Sequence, residues 1–142
     1  MPEEYLKKLQ EPGQGVNPLF GFLGVRIVRM SKEQVVLALP FREVFIQGGG
    51  VVAGGVMATL ADEAMAHVVL ANLEEDQSTA TIEMNLRFLK PIKQGEITAE
   101  AALVKKGRQV LTVEAKVRDA QGQLLASAGA SFMVVELKKK RH

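Results

Sequence analysis

The stretch VVAGGVMATLADEAMAHVVL, residues 51–70, combines two adjacent glycines, a long apolar run and two consecutive carboxylates. Its composition predicts a helix over 56–71. The few polar residues of that helix are spaced three or four apart, so they form one stripe along it. They are Thr59, Asp62, Glu63 and His67. A carboxylate on so apolar a helix costs free energy unless something pairs with it or uses it.

This polar stripe has two interpretations. It can face water, with Glu63 and His67 as a surface pair, or it can line a functional cleft. The segment QGGGVVAGG (47–55) favours the cleft, because it places five glycines directly before the helix. A helix N-terminus offers unpaired N–H groups and partial positive charge, which suits an oxyanion site. Asp62, two turns on, would then supply a nucleophile or a base. The alternative for the glycines is a tight turn with dense packing.

Strands dominate the rest of the chain. Val, Ile and Leu in 24–30 and 34–40 indicate a first hairpin. After the helix, apolar residues recur at every second position, which is typical of strands. Short turns separate these segments, so neighbouring strands are expected to be antiparallel. The predicted strands are 79–89, 96–104, 108–119 and 124–135. The fold class is therefore α+β, an antiparallel sheet curled around one central helix, whose strand edges and apolar surface favour dimerisation.

Composition excludes several classes of protein. The 142 residues predict one domain, 1–142, with an N-terminal helix (2–10) and linker within 1–17 and a basic tail at 138–142. The tail accounts for the net charge of +2, so no nucleic-acid partner is expected. No stretch resembles a membrane span or a leader, and there is no Cys. We expect a cytoplasmic protein with no membrane partner and no metal site.

Three segments carry a resemblance to a known family: AGGVMATLADEAMA, MNLRFLKPIKQGEITAEAALVKKGR and DAQGQLLASAGASFMV. Together they resemble the hotdog-fold acyl-CoA thioesterases, nearest to the phenylacetate-pathway (PaaI-type) and 4-hydroxybenzoyl-CoA thioesterases. The resemblance covers about residues 18–136. It implies a sheet wrapped around the helix and an acyl-CoA substrate, with coenzyme A as part of the substrate and no other cofactor. It also implies homodimers, often paired into tetramers, with active sites at the dimer interface.

The resemblance assigns roles to individual residues. Asp62 would attack the thioester or activate water, and the backbone N–H of Gly54 would polarise the thioester carbonyl. Gln47 would orient substrate or water, and Thr81 matches a hydroxyl residue of the facing strand. The chain departs from the family at Ala53, where relatives usually carry a histidine that binds or orients the substrate.

The resemblance also implies contacts with coenzyme A. Gly55 is assigned to substrate binding beside Gly54, and Asn85 is a candidate pantetheine contact. Phosphate groups require basic residues near the cleft, and arginine binds phosphate bidentately. The candidates are Arg87, Lys90, Lys105, Lys106 and Arg108, with Arg87 and Arg108 preferred. The alternative for each is an ordinary solvated charge in a hairpin.

Competing functions have less support in the sequence. Glu63 competes with Asp62 as the catalytic carboxylate. A Ser-His-Asp triad would have to recruit His67, and no G-x-S-x-G elbow exists. A hotdog dehydratase or hydratase would want a histidine in the glycine-rich loop, where none stands. A non-catalytic acyl-CoA binding protein of the same fold is the runner-up. The acyl group stays open, since a wall of Met57, Met65, Phe45 and Phe88 suits aromatic or aliphatic chains.

Overall fold

The computed structural model describes residues 2–137, so the predicted basic tail at 138–142 lies outside the described residues. Three helices and six strands follow one another along the chain. The helices are α1 (Pro2–Leu9), α2 (Pro18–Leu23) and α3 (Gly54–Leu70). The strands are β1 (Arg26–Met30), β2 (Val35–Leu39), β3 (Gln77–Phe88), β4 (Ile97–Lys106), β5 (Val110–Arg118) and β6 (Leu124–Glu136). Every helix and strand predicted from the sequence is present, with ends that differ by a few residues.

The six strands form one sheet in the order β1-β2-β4-β5-β6-β3, and every neighbouring pair is antiparallel. β3 follows α3 in the chain but pairs with β6, the last strand, so it forms one edge of the sheet. β1 forms the other edge. Between Thr81 and Glu83 the pairing of β3 with β6 shifts by one residue, which marks a β-bulge.

Helix α3 packs against the inner face of the sheet. The alternation predicted for β5 is confirmed, because Leu111, Val113, Ala115 and Val117 are all buried while the residues between them are exposed or nearly so. On α3, Leu60 is 1% exposed, and truncating such a side chain to alanine costs about 2–5 kcal/mol. The predicted antiparallel sheet around one long helix is confirmed.

Two short elements escaped prediction. Helix α2 has six residues, too few for a helical period to be read from the sequence. Its ends nevertheless carry ordinary signals: the Asn17 side chain accepts from the Phe20 N–H, Pro18 is the first helical residue, and Gly24 closes the helix at φ 80°. A 3-10 turn over Glu43–Phe45 then leads into the glycine-rich loop.

Candidate active site

The first turn of α3 has free hydrogen-bond donors. The helix begins at Gly54, and Ala53 before it provides no side-chain cap. The N–H groups of Val52 and Ala53 donate to backbone oxygens of Ile92 and Phe45. Within residues 2–137, those of Gly54 and Gly55 have no acceptor. Since the helix dipole adds partial positive charge here, these two donors can stabilise an oxyanion.

The loop before α3 fixes the side chain of Gln47. The backbone forms a tight turn, in which Gly50 donates to the Gln47 carbonyl at 2.9 Å and Gly50 itself has φ 84°. The Gln47 Oε1 atom accepts from the Gly49 N–H. That contact orients the amide group and leaves its NH₂ as a free donor on the exposed side of the loop.

A cavity of about 340 Å³ adjoins the start of α3. It contains three residues that the sequence assigned to the site: Gln47, Gly54 and Lys90. The remaining lining is apolar and consists of Val51, Val52, Met57, Phe88, Leu89 and Pro91. Of the four residues proposed as an acyl wall, Met57 and Phe88 line this cavity, whereas Met65 and Phe45 are buried in the core.

Asp62 lies two turns along α3 and faces the edge strand β3. Its Oδ1 atom accepts a hydrogen bond from the Thr81 hydroxyl at 3.3 Å. Burial raises the pKa of Asp62, and the Thr81 hydrogen bond opposes that rise. A carboxylate with a raised pKa is a stronger base than an exposed aspartate, which suits proton abstraction from water.

Gly54 and Asp62 lie far apart along α3 within one chain. Eight residues separate them on one helix, and a rise of 1.5 Å per residue places them about 12 Å apart. The oxyanion donor and the carboxylate must both lie within about 3 Å of the reacting groups. If both groups act on one thioester, they therefore have to come from different chains.

The other predicted contacts lie in separate places. Asn85 and Arg87 line a groove of about 390 Å³ on the outer face of the sheet, away from α3. Arg108 lies in the turn between β4 and β5. Lys90 borders the cavity at Gly54, and its Nζ atom contacts Gln123 Oε1. Of these basic candidates, one chain brings only Lys90 to the Gly54 cavity.

The interpretation of Glu63 and His67 as a surface pair is wrong. His67 is 2% exposed, and its Nδ1 atom lies 2.6 Å from the backbone oxygen of Glu63. Because a carbonyl oxygen only accepts, Nδ1 carries the proton, and Nε2 accepts from the Tyr5 hydroxyl at 2.8 Å. Asn17 donates to the same hydroxyl at 2.9 Å. Burial, the main cause, lowers the pKa of His67.

Glu63 faces the N-terminal segment rather than the Thr81 side of the helix. It is partly buried, and its pKa is raised first by burial and then by the charge of Asp62, while hydrogen bonding to Asn17 opposes the rise. No local pattern in the sequence predicts this arrangement, because Tyr5 and Asn17 are distant from α3 along the chain. An amphipathic α1 with one tyrosine was the only feature that could have suggested a polar contact on its buried side.

The sequence of the chain matches that of a known protein family. The model of the thioesterase superfamily matches residues 49–126, which include most of the glycine-rich loop, α3, the strands β3, β4 and β5, and the start of β6. The chain belongs to the thioesterase superfamily. It has the hotdog fold and is a thioester hydrolase.

Individual relatives agree with this family. The chain is 29% identical to the 1,4-dihydroxy-2-naphthoyl-CoA hydrolase of Listeria monocytogenes, over 84% of this chain and 94% of that protein. A phenylacetic acid degradation-related protein from Ralstonia eutropha superposes with a TM-score of 0.82 at 28% identity, covering 91% of this chain and 98% of that one. A thioesterase family protein from Silicibacter pomeroyi gives 0.82 at 25% identity, covering 93% and 98%.

Two further observations concern residues 2–137. No helix in that range is long and apolar enough to cross a membrane. No three His, Asp or Glu side chains there lie close enough together to hold a metal ion. The expectation that hydrolysis needs no metal and no cofactor stays a prediction.

Proposed function

We propose that the protein is an acyl-CoA thioesterase, which converts an acyl-CoA and water into a carboxylic acid and coenzyme A. The observation that carries the proposal is the free N–H group of Gly54, which lines an apolar cavity together with Gln47. The Asp62 carboxylate held by Thr81 supplies the second half of the chemistry.

The reaction needs one base or nucleophile and one oxyanion site. Asp62 takes a proton from water as the water oxygen bonds to the thioester carbon, or its carboxylate attacks that carbon directly. In both routes the carbonyl oxygen becomes an oxyanion that accepts from the Gly54 N–H, a contact worth about 3–4 kcal/mol in comparable sites. Collapse of the tetrahedral species breaks the C–S bond, and the coenzyme A thiolate takes up a proton. After direct attack, water hydrolyses the resulting anhydride and regenerates Asp62.

Two chains complete the site. Because about 12 Å of helix separates Gly54 from Asp62 in one chain, we assign Asp62 of one subunit to act with the partner subunit's Gly54. The edge strand β3 favours such a homodimer: it has no strand on its outer side within residues 2–137, and Ile82 there is 53% exposed. A symmetric dimer would form two equivalent sites, and pairing of dimers into a tetramer stays a further expectation.

Coenzyme A would leave the cavity on its polar side. Lys90 borders that side and provides a cation for a phosphate group. Asn85 and Arg87 on the outer face, and Arg108 in the β4–β5 turn, would contact coenzyme A only if another subunit brings them to the cavity. We therefore place Lys90 first among the basic contacts and Arg108 and Arg87 after it.

The decisive experiment measures release of coenzyme A from a panel of acyl-CoAs, with acyl groups from acetyl to palmitoyl, phenylacetyl and hydroxybenzoyl. Asp62→Asn should lower kcat by about 10² to 10⁴-fold, whereas the matched variant Glu63→Gln should retain most activity. Equal turnover by wild type and Asp62→Asn would remove Asp62 from the mechanism. Binding of acyl-CoA without turnover by wild type would identify a binding protein, in accord with the change of the family histidine to Ala53.

A mixing experiment tests the shared site. Neither Asp62→Asn nor Gly54→Pro should turn over substrate alone. Refolded together, half of the dimers are mixed, and each mixed dimer has one site with both native residues. About a quarter of wild-type activity should therefore return. If the mixture stays inactive although mixed dimers form, both groups act within one chain and the arrangement proposed here is wrong.

A further inference from the structure

Phe88 lies against the first residue of α3. The strand β3 ends at Phe88, which pairs with Ala126 on the inner face of the sheet. A β-carbon built at Gly54 would lie 2.8 Å from Phe88 Cζ and 3.1 Å from Cε1. The tip of the aromatic ring therefore occupies the space that any larger residue at Gly54 would need. This contact places the ring beside Gly54, whose N–H group is free.

Phe88 is also an exposed aromatic residue. Its side chain is 55% exposed, and the following Leu89 is 56% exposed. Exposed aromatic surface beside polar groups is typical of a ligand-binding surface. Both side chains line the same cavity of about 340 Å³ as the buried Met57. Met57 is 3% exposed and held in the core, whereas Phe88 and Leu89 form the exposed part of the lining.

Given the acyl-CoA thioesterase proposed above, we infer that Phe88 is a specificity-determining residue that limits the length of the acyl group. A thioester whose carbonyl accepts from the Gly54 N–H has to direct its acyl group between the Phe88 ring and Met57. Lys90 on the same cavity is the polar end and suits the coenzyme A side. The volume of about 340 Å³ beside the ring has room for short or single-ring acyl groups, and the ring stands in the path of a long chain.

Removal of the ring should therefore change selectivity more than chemistry. Each methylene accepted or rejected by an apolar pocket changes kcat/KM by about tenfold or more. In Phe88→Ala we expect the ratio of kcat/KM for decanoyl-CoA over butyryl-CoA to rise by at least about tenfold. Phe88→Trp should lower the same ratio. For butyryl-CoA, the alanine variant should show a raised KM, because the acyl group loses contact with the ring, and a smaller loss of kcat than Asp62→Asn.

Phe22→Ala is the matched control. Phe22 is 73% exposed on α2 and lies outside the lining of the cavity. Its removal should leave the chain-length ratio unchanged. Thermal unfolding of every variant checks the fold, and Phe88→Leu provides a second truncation if the alanine variant is unstable. Size-exclusion chromatography separates an effect on selectivity from an effect on the dimer.

The outcomes distinguish this inference from the proposed function. If Asp62→Asn abolishes turnover but neither Phe88 variant moves the ratio, Phe88 does not set selectivity and the thioesterase proposal stands. Dissociation of Phe88→Ala with an unchanged ratio would likewise overturn the inference, since the ring would then only pack subunits together. If wild type hydrolyses no acyl-CoA, the proposed function fails and the inference fails with it.

Discussion

The polar groups at the two ends of α3 differ in whether they have hydrogen-bond partners. At the N-terminal end, the N–H groups of Gly54 and Gly55 have no acceptor within residues 2–137, and Gly54 lines a cavity. At the C-terminal end, both ring nitrogens of His67 have partners, and the ring is 2% exposed. Buried polar groups are normally satisfied, so the paired end contributes to stability. The unpaired end keeps its donors for a ligand.

Asp62 belongs to neither extreme. It is half-buried midway along the helix, has one hydroxyl partner in Thr81, and has a pKa raised by burial. Such a group costs some stability in its charged form and gains basicity in exchange. The contrast along one helix therefore separates positions where substitution should affect catalysis from positions where it should affect unfolding.

The largest effect should follow removal of a single N–H at the functional end. Ala53 has φ −58° and ψ 134°, a conformation that residues before proline favour. Proline is also tolerated at the first position of a helix. Gly54→Pro and Gly54→Ala both add a β-carbon that meets the Phe88 ring, but only the proline variant loses the N–H donor. We expect kcat of the proline variant to be lower than that of the alanine variant by about 10² to 10³-fold.

The alanine variant separates packing from chemistry. Its β-carbon would meet the Phe88 ring, so its own activity should fall and should recover in Gly54→Ala combined with Phe88→Ala. Gly55→Ala is the control, because nothing lies within 4 Å of a β-carbon there. Equal kcat values for the alanine and proline variants at Gly54 would show that the N–H does not stabilise the oxyanion.

A smaller effect should follow loss of the Thr81 hydroxyl. Asp62 must be ionised to act, and the Thr81 hydrogen bond opposes the rise in its pKa. Thr81→Val should therefore raise that pKa further and move the acidic limb of the kcat/KM profile to higher pH. The loss should be a few-fold at acidic pH and should diminish as pH rises.

Thr79→Val is the control on the same strand, since the Thr79 hydroxyl donates to the Met133 carbonyl instead. Thr81→Ser should keep the wild-type profile. A loss of equal size at every pH in Thr81→Val would mean that the hydroxyl positions a group without tuning the Asp62 carboxylate.

Most of the fold follows from local patterns in the sequence. The alternation of apolar residues in β5 and the apolar composition of α3 predict these elements reliably, because each pattern extends over many residues. The resemblance to hotdog thioesterases placed Gln47, Gly54 and Lys90 in one site, and all three line one cavity. Helix α2 was missed because six residues give no period, although its capping signals were present.

The faces of β3 show why the rest could not be predicted. With a strict period of two, Asn85 and Arg87 would lie on the same face as Thr81, beside the helix. The bulge between Thr81 and Glu83 shifts the alternation by one residue and turns Asn85 and Arg87 to the outer face. No residue in this segment signals a bulge. The position of His67 was hidden for another reason, since it depends on Tyr5, 62 residues away.

At the structural end of α3, loss of the Tyr5 hydroxyl should affect stability alone. Tyr5→Phe keeps the ring that stacks on His67, at 5.7 Å between centroids, but leaves the His67 Nε2 and the Asn17 NH₂ without this partner. We expect the free energy of unfolding to fall by about 1 kcal/mol, measured by urea denaturation. The kcat/KM should stay within about twofold of wild type. A large loss of activity at unchanged stability would place the N-terminal segment in the catalytic site and break the contrast.

The smallest effect should be a difference in pH dependence at His67. Because burial lowers the pKa of His67 in the folded protein, the unfolded chain binds its proton first as pH falls. The stabilisation is therefore complete above the unfolded value of about 6.5 and is lost as pH decreases below it. His67→Gln removes this pH-dependent stabilisation. The free energy of unfolding of the variant should therefore decline less than that of wild type between about pH 7 and pH 5.

Other titrating groups lie near His67 and also change the free energy of unfolding with pH. The carboxyl of Glu63 lies one turn back, Asp62 is its neighbour, and Tyr5 titrates only in alkali, with a pKa raised mainly by burial. The raised pKa values of the two carboxyls act in the opposite direction, since their protonation stabilises the fold as pH falls. Comparison of wild type with His67→Gln cancels most of that contribution. Parallel pH curves for the two proteins would show that His67 does not titrate between folded and unfolded states in this range.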